Sequence, residues 1–290
     1  MIRVYCRGRL GNLLFQYAAA RNLADKHNTH VELNLHDYLN RGNITNLSSV
    51  FDLKKLNIQA KLKFPIFKRL IQICWDENVT PESLPIYNES TFGWDPHFEE
   101  LGNNICLDGY FQNERYFVDI KDSLKKEITL KKEPSDANFQ HLKEAIKESN
   151  SVAICYRRGD FIGDSNFDIC NPVYYSNAVK YIHEKQGDVK FFIFSDDIDW
   201  CKNNVQLSSA TFVCNGDKNL PPLDSLELLR QCKHYIISNS TFHWWGAYLN
   251  ESRTKMVLVP NRWFGDDKLN ALALEHTIPK NWIKIPLHTP

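Results

Sequence analysis

The chain has 290 residues, 43% hydrophobic and 24% charged, and its 35 Lys plus Arg balance 35 Asp plus Glu to a formal net charge of zero. This is the composition of a globular protein long enough for two domains of ordinary size. It argues against nucleic-acid or membrane-surface binding through bulk charge, and no run of about 18 apolar residues offers a membrane span.

Residues 2–6 read as a first strand, which runs into Arg7-Gly8-Arg9-Leu10-Gly11-Asn12 and a helix over 13–26. The helix carries apolar residues at 14, 15, 18, 19 and 23, one buried face at helical spacing. A second strand covers 31–35. Residues 36–104 hold several prolines and few clean periods, and are expected to form a variable region with short helices. A strand over 104–107 leads through Asp108-Gly109-Tyr110-Phe111-Gln112 to a helix near 114–127. Lys-Lys-Glu-Pro-Ser at 131–135 reads as a linker, which divides the chain into lobes 1–135 and 136–290.

The second lobe is more regular. A helix over 137–149 precedes a strand over 151–156. Asn171 and Pro172 start a helix that runs to about 185, with an N-cap and a proline at the first helical position. Strands over 189–194, 210–214, 234–238 and 255–259 alternate with helices near 198–204, 222–232 and 242–250. Repeated β-α units predict an α/β fold with a doubly wound parallel sheet.

The eight cysteines show no C-x-x-C spacing and read as reduced thiols of a cytosolic protein. The amino terminus, Met1-Ile2-Arg3-Val4-Tyr5, enters a strand and not a signal-peptide apolar segment. Without secretion the sequons at Asn43, Asn88 and Asn239 carry no information.

Three strand ends in the second lobe carry polar turns: Arg157-Arg158-Gly159-Asp160, Ser195-Asp196-Asp197 and Asn239-Ser240-Thr241. Ligands of open α/β sheets sit at the carboxyl edge. Paired guanidiniums there suit phosphate oxygens. Ser240 and Thr241 open a helix, where backbone N–H groups hold anions. Asp196 and Asp197 offer acceptors to ribose hydroxyls or to the N–H edge of guanine. The plainer reading makes Asn239 and Ser240 a helix cap and the aspartates companions of a helix dipole; three such turns on consecutive β-α units weigh against it. No G-x-G-x-x-G or Walker loop occurs. Asp197-Ile198-Asp199 matches the D-x-D of some metal-dependent sugar transferases, but it falls at a helix start, and no metal is expected.

Together these residues resemble the α-1,2-fucosyltransferases of glycosyltransferase family 11, of bacterial type. The motifs carrying the resemblance are Gly8-Arg9-Leu10-Gly11-Asn12-Leu13-Leu14-Phe15-Gln16-Tyr17-Ala18, Gly109-Tyr110-Phe111-Gln112-Asn113-Glu114-Arg115-Tyr116-Phe117, Arg157-Arg158-Gly159-Asp160-Phe161, Phe194-Ser195-Asp196-Asp197, and Asn239-Ser240-Thr241-Phe242-His243-Trp244-Trp245-Gly246-Ala247. Three positions depart from the family pattern: Cys155 stands where it has histidine, Leu13 where it has glutamine, and His243 where it has serine.

The resemblance implies a GT-B-like fold, two Rossmann-like α/β lobes facing across a cleft, the first on the acceptor side and the second holding GDP-fucose. It implies inverting, metal-independent transfer of L-fucose from GDP-β-L-fucose to the 2-hydroxyl of a terminal β-galactose, with no cofactor beyond the donor. Acceptors would be lactose, N-acetyllactosamine or a lipid-linked oligosaccharide, and the setting cytoplasmic, free or peripheral at the inner membrane face. Arg157 is expected on the β-phosphate. Arg158 should point the other way and orient Asp160 or the loop. Ser240 and Thr241 would hold the pyrophosphate, with Ser195 and Asn239 in the same donor site, and Asp196 would meet the nucleoside. Asn12, in the glycine-flanked loop 8–12, would meet donor phosphate or fucose across the cleft. Asp160 is the first candidate for the catalytic base, ahead of Asp164 and Asp168. Core or protein O-fucosylation, or carbohydrate binding without turnover, are the competing functions.

Overall fold

The computed structural model describes residues 1–35, 47–63, 84–90 and 92–288. The chain forms two compact units, Met1–Thr129 and Leu130–Pro290. Both are α/β, as expected.

The first unit holds a five-stranded parallel sheet of β1 (Ile2–Tyr5), β2 (Val31–Asn34), β3 (Ala60–Lys63), β4 (Ile86–Asn88) and β5 (Ile105–Asp108), in the order β3-β2-β1-β5-β4. Helix α1 (Leu10–Lys26) joins β1 to β2 and starts earlier than expected, because Leu10 and Gly11 are already buried in its first turn. The variable region contains α2 (Leu47–Lys55), β3, β4 and a 3-10 helix at Pro96–Glu100; its residues 36–46, 64–83 and 91 lie outside the described residues. The helix expected near 114–127 is broken. Two 3-10 turns, Glu114–Tyr116 and Val118–Ile120, precede α3 (Lys121–Glu127), and Phe117 between them has φ −152°, outside the helical range.

The second unit opens with α4 (Ala137–Glu148). Gln140 Nε2 donates to Glu133 Oε1 at 2.8 Å and to the Pro134 carbonyl at 2.7 Å, which fastens the expected linker onto α4 and explains why the unit begins ahead of 136. Its strands are β6 (Ser151–Tyr156), β7 (Lys190–Ser195), β8 (Thr211–Phe212), the short antiparallel pair β9 (Cys214–Asn215) and β10 (Lys218–Asn219), β11 (His234–Ile236), β12 (Val257–Pro260) and β13 (Ile283–Ile285). Among them run α5 (Pro172–Gln186), α6 (Ile198–Asn204), α7 (Pro222–Leu229), α8 (Thr241–Leu249) and α9 (Asp267–His276).

The main sheet is parallel throughout and ordered β13-β12-β11-β6-β7-β8. From β6 the chain winds outward through β7 and β8, then returns to the other side of β6 and winds outward again through β11, β12 and β13. This is the doubly wound arrangement, in which ligands bind at the switch point of the strand order, here between β6 and β11. Five of the six residues of β6 are buried, as a strand covered by helices on both faces requires.

Helix α9 and strand β13 are additions to the sequence reading. Asp266 caps α9 by accepting from the Leu269 N–H at 2.8 Å, and β13 pairs with β12 from Leu258↔Ile283 to Pro260↔Ile285. The described cysteines are free thiols, and Cys74 lies outside the described residues. Among the described residues no helix is long and apolar enough to cross a membrane.

Candidate functional site

The sheet brings the three polar turns of the second unit to one edge. Tyr156 is paired in register with Ser195 of β7, and Ile154 with Ile236 of β11. Arg157 therefore leaves β6 between Asp196 on one side and the Ser238-Asn239-Ser240 turn on the other, at the switch point.

The two arginines diverge, as strand alternation predicts. Arg157 is 14% exposed at its side chain; its Nη1 lies 2.7 Å from Asp196 Oδ2, its Nη2 contacts Asp160 Oδ1, and its guanidinium sits 5.1 Å from the centre of the Phe161 ring. Arg158 turns toward α6. Its Nε donates to Asp197 Oδ2 at 3.1 Å and its guanidinium lies 3.5 Å from the centre of the Trp200 ring. Arg158 was expected to orient Asp160 or the loop; of these, Asp160 pairs with Arg157, while Arg158 pairs with Asp197 and Trp200.

Asp196 ties both arginines together. Its Oδ1 accepts the Arg158 backbone N–H at 2.9 Å while Oδ2 faces Arg157. Its expected partner was the nucleoside; here both oxygens serve the arginine turn. Gly159 makes room for this, since a Cβ there would stand 2.5 Å from Asp196 Oδ2. Ser195 Oγ accepts the Asp197 N–H at 2.9 Å, and Asp197 Oδ1 accepts the Trp200 N–H at 3.2 Å to cap α6. In the D-x-D tripeptide the first carboxylate is thus committed to a cap and to Arg158.

On the other side of β6, Asn239 acts as a brace. Its amide Nδ2 donates to the Phe167 and Trp263 carbonyls, each at 3.0 Å, and its Oδ1 accepts from Cys170 Sγ at 3.5 Å. Both amide hydrogens hold loops around the site. Ser240 is the N-cap of α8 but makes no side-chain cap bond, so its hydroxyl leaves the first-turn amides of a nine-residue helix to another acceptor. Thr241 is the first helical residue. Asp164 and Asp168, the reserve candidates for a base, stabilise the loop: they accept the Asn166 N–H at 2.8 Å and the Gly163 N–H at 3.0 Å.

In the first unit the corresponding switch point lies between β1 and β5, and the two amino-terminal motifs follow these strands. Gly8 has φ +78°, a left-handed conformation that suits glycine, and a Cβ there would meet Asn12 Nδ2. Asn12 lies in the first turn of α1 and not in the loop expected; its Oδ1 accepts from Gln112 Nε2 at 3.0 Å. Gln16, fully buried, clamps the turn by accepting the Arg7 N–H at 3.0 Å and donating to the Arg7 carbonyl at 3.1 Å. Glu89, in the variable region, accepts the Tyr110 N–H at 2.7 Å and the Phe111 N–H at 3.1 Å, and burial raises its carboxyl above the ordinary range. Sequence reasoning passed over Glu89 and Trp200, since neither sits in a motif and each acts through a partner distant in the chain.

Residues 91–286 match the family model for glycosyl transferase family 11. The chain belongs to glycosyl transferase family 11. The chain is 29% identical to an α-1,2-colitosyltransferase of Escherichia coli, with 96% of both chains covered. It is 28% identical to the O-antigen biosynthesis glycosyltransferase WbnK of Escherichia coli, over 96% of this chain and 98% of that one. Similarity extends to galactoside α-(1,2)-fucosyltransferase 2 of Bos taurus, at 24% identity over 77% of this chain and 67% of the relative. The protein is a glycosyltransferase.

Two departures from the family pattern take structural form here. Cys155 is fully buried within β6, where desolvation pushes its thiol well above the ordinary value; it offers no polar contact of the kind an imidazole would supply. His243 lies at the start of α8, 4% exposed, with Nδ1 2.9 Å from Ser238 Oγ. Burial first, and the Arg157 charge second, lower its pKa to about 3.

A lowered histidine pKa makes stability depend on pH in a defined sense. Above the ordinary value of 6.5 the imidazole is neutral in both folded and unfolded chains. Below it the unfolded chain takes up the proton first, so stability is lost as pH falls toward about 3. The slope from this one group approaches about 1.4 kcal/mol per pH unit. Denaturant midpoints for wild type and His243→Phe between about pH 6.5 and 4.5 should converge on acidification, because the variant lacks this contribution. Parallel curves would show that the imidazole titrates normally in the fold.

Proposed function

We infer that this family 11 transferase is an inverting galactoside α-1,2-fucosyltransferase that uses GDP-β-L-fucose. The observation that supports it most is Arg157 at the switch point of the second sheet, flanked by the uncapped start of α8 and by the Asp196 turn. That combination suits a diphosphate leaving group. The acceptor is a β-galactoside such as lactose, N-acetyllactosamine or a lipid-linked oligosaccharide.

The chemistry follows from charge. The C1–O bond from fucose to the β-phosphate breaks, the electron pair leaves with GDP, and the 2-hydroxyl oxygen of galactose bonds to C1 from the opposite face. Negative charge grows on the β-phosphate, where Arg157, the Ser240 hydroxyl and the first-turn amides of α8 from Thr241 onward are fixed in advance to meet it. Asp160 pairs with Arg157 in the free protein. The incoming phosphate competes for that guanidinium, and the half-exposed Asp160 carboxylate beside it is the group we assign to take the acceptor proton.

Asp160→Asn separates these roles: GDP binding should be kept or tightened, because a competing anion is gone, while kcat falls at least ~10²-fold. Loss of GDP binding with kcat intact would reverse the assignment. Because Asp197 is engaged by Arg158 and the α6 cap, no residue is assigned to a metal, and transfer should be unaffected by excess EDTA. Strict dependence on Mg²⁺ or Mn²⁺ would restore the D-x-D reading.

The colitosyltransferase similarity favours a second donor sugar, nucleotide-activated colitose, which is fucose without its 3-hydroxyl. Both donors, run against a panel of β-galactosides with linkage assigned by NMR, test the proposal. Transfer of fucose to the galactose 2-hydroxyl supports it. Preference for colitose changes the donor, and a different linkage or acceptor overturns the acceptor assignment.

A further inference from the structure

His243 occupies the third helical position of α8, its ring folded back onto the strand end through Ser238. Ser238 is fully buried. A buried hydroxyl proton needs an acceptor, and among the described residues the hydrogen-bond partner of Ser238 Oγ is His243 Nδ1, at 2.9 Å. The hydroxyl therefore donates to Nδ1, and the neutral ring carries its proton on Nε2. No protein hydrogen bond engages Nε2 among the described residues. The ring lies within the field of the Arg157 guanidinium and stays uncharged beside it, and Ser240 leaves the neighbouring helix amides without a side-chain cap. A guanidinium, helix amides and a neutral imidazole N–H at one sheet edge match the several oxygens of a terminal phosphate.

We propose that the His243 Nε2–H donates a hydrogen bond to the terminal phosphate of a nucleoside diphosphate held at Arg157, and that Ser238 sets the tautomer that makes this possible. The proposal rests on the assignment of Arg157 to the donor diphosphate given above. A neutral donor suits this place: it follows the charge that grows on the leaving group without adding a second cation beside Arg157.

Calorimetric titration of GDP and of GMP into wild type, His243→Phe, His243→Gln and Ser238→Ala tests it. His243→Phe should lose about tenfold in GDP affinity and less than about twofold in GMP affinity. His243→Gln, whose amide N–H reaches a similar position, should recover most of the loss. Ser238→Ala, which keeps the ring but releases its tautomer, should lose GDP affinity several-fold in the same sense. If wild type prefers GDP to GMP and His243→Phe keeps that preference, the proposal is overturned while the donor assignment stands. If wild type shows no preference for GDP over GMP, the donor assignment falls and takes the proposal with it. Should His243→Phe fail to fold, Ser238→Ala decides: an unchanged preference overturns the proposal and a reduced one supports it.

Discussion

Arg157→Ala is expected to lower kcat/KM by at least about 10³-fold while the protein stays folded. Arg157 is the cation placed between the α8 start and the Asp196 turn, and a preorganised donor of this kind contributes most where charge develops. In the free protein its removal leaves Asp160 and Asp196 without their common partner. Asp160 is 49% exposed at its side chain and can be hydrated in place, so the stability cost should stay near about 1 kcal/mol or less. Arg157→Lys keeps the charge but loses the planar fork that serves both carboxylates and a phosphate; its activity should fall between alanine and wild type. Product formation from GDP-fucose and lactose, with a melting curve for each variant, is the measurement. Near-normal turnover in a folded Arg157→Ala protein would sink the leaving-group assignment.

Arg158→Ala should behave differently, because its guanidinium is spent on Asp197 and Trp200. A residue that reads in sequence as half of a cationic pair works in the fold as a strut between β6 and α6. Local sequence carries the alternation that separates the two side chains, but Asp196 and Asp197, which they meet across the sheet edge, each lie 39 positions away. Those contacts arise only because β7 pairs with β6. The same holds for the switch point. Each strand end was legible as a polar turn, yet the adjacency of β6 to β11 depends on a sheet order that no local pattern encodes.

What sequence reading lost has two physical sources. Strand β13 has three residues and α9 follows a polar turn, so neither shows a long enough period to stand out. Short strands at an edge gain their stability from the partner and not from their own pattern, as β13 does from β12. The other source is that one side chain can suit two roles. Asn239 in an Asn-Ser-Thr turn fits a ligand contact as well as a brace, and only the positions of the Phe167 and Trp263 carbonyls separate them.

Asn239→Ala therefore carries a prediction that a ligand-contact role does not share. The side chain is 4% exposed and its amide satisfies two carbonyls from segments far apart in the chain. Truncation leaves both acceptors and the Cys170 thiol without this partner, at a cost of about 1–3 kcal/mol for each unsatisfied group, less where water enters the space. A combined loss of about 2–4 kcal/mol is expected in the free protein, which for a unit of this size corresponds to a melting temperature lower by roughly 5–10 °C. Asn239→Asp should do no better, since it faces the same carbonyls with a carboxylate that cannot donate. Activity should fall as well, because the loops released are those that carry Phe167 beside Phe161 and, through Phe161, the Arg157 turn. Thermal melts without nucleotide decide between the roles. A marked drop supports the brace; an unchanged melting temperature combined with lost GDP affinity would return Asn239 to the donor itself.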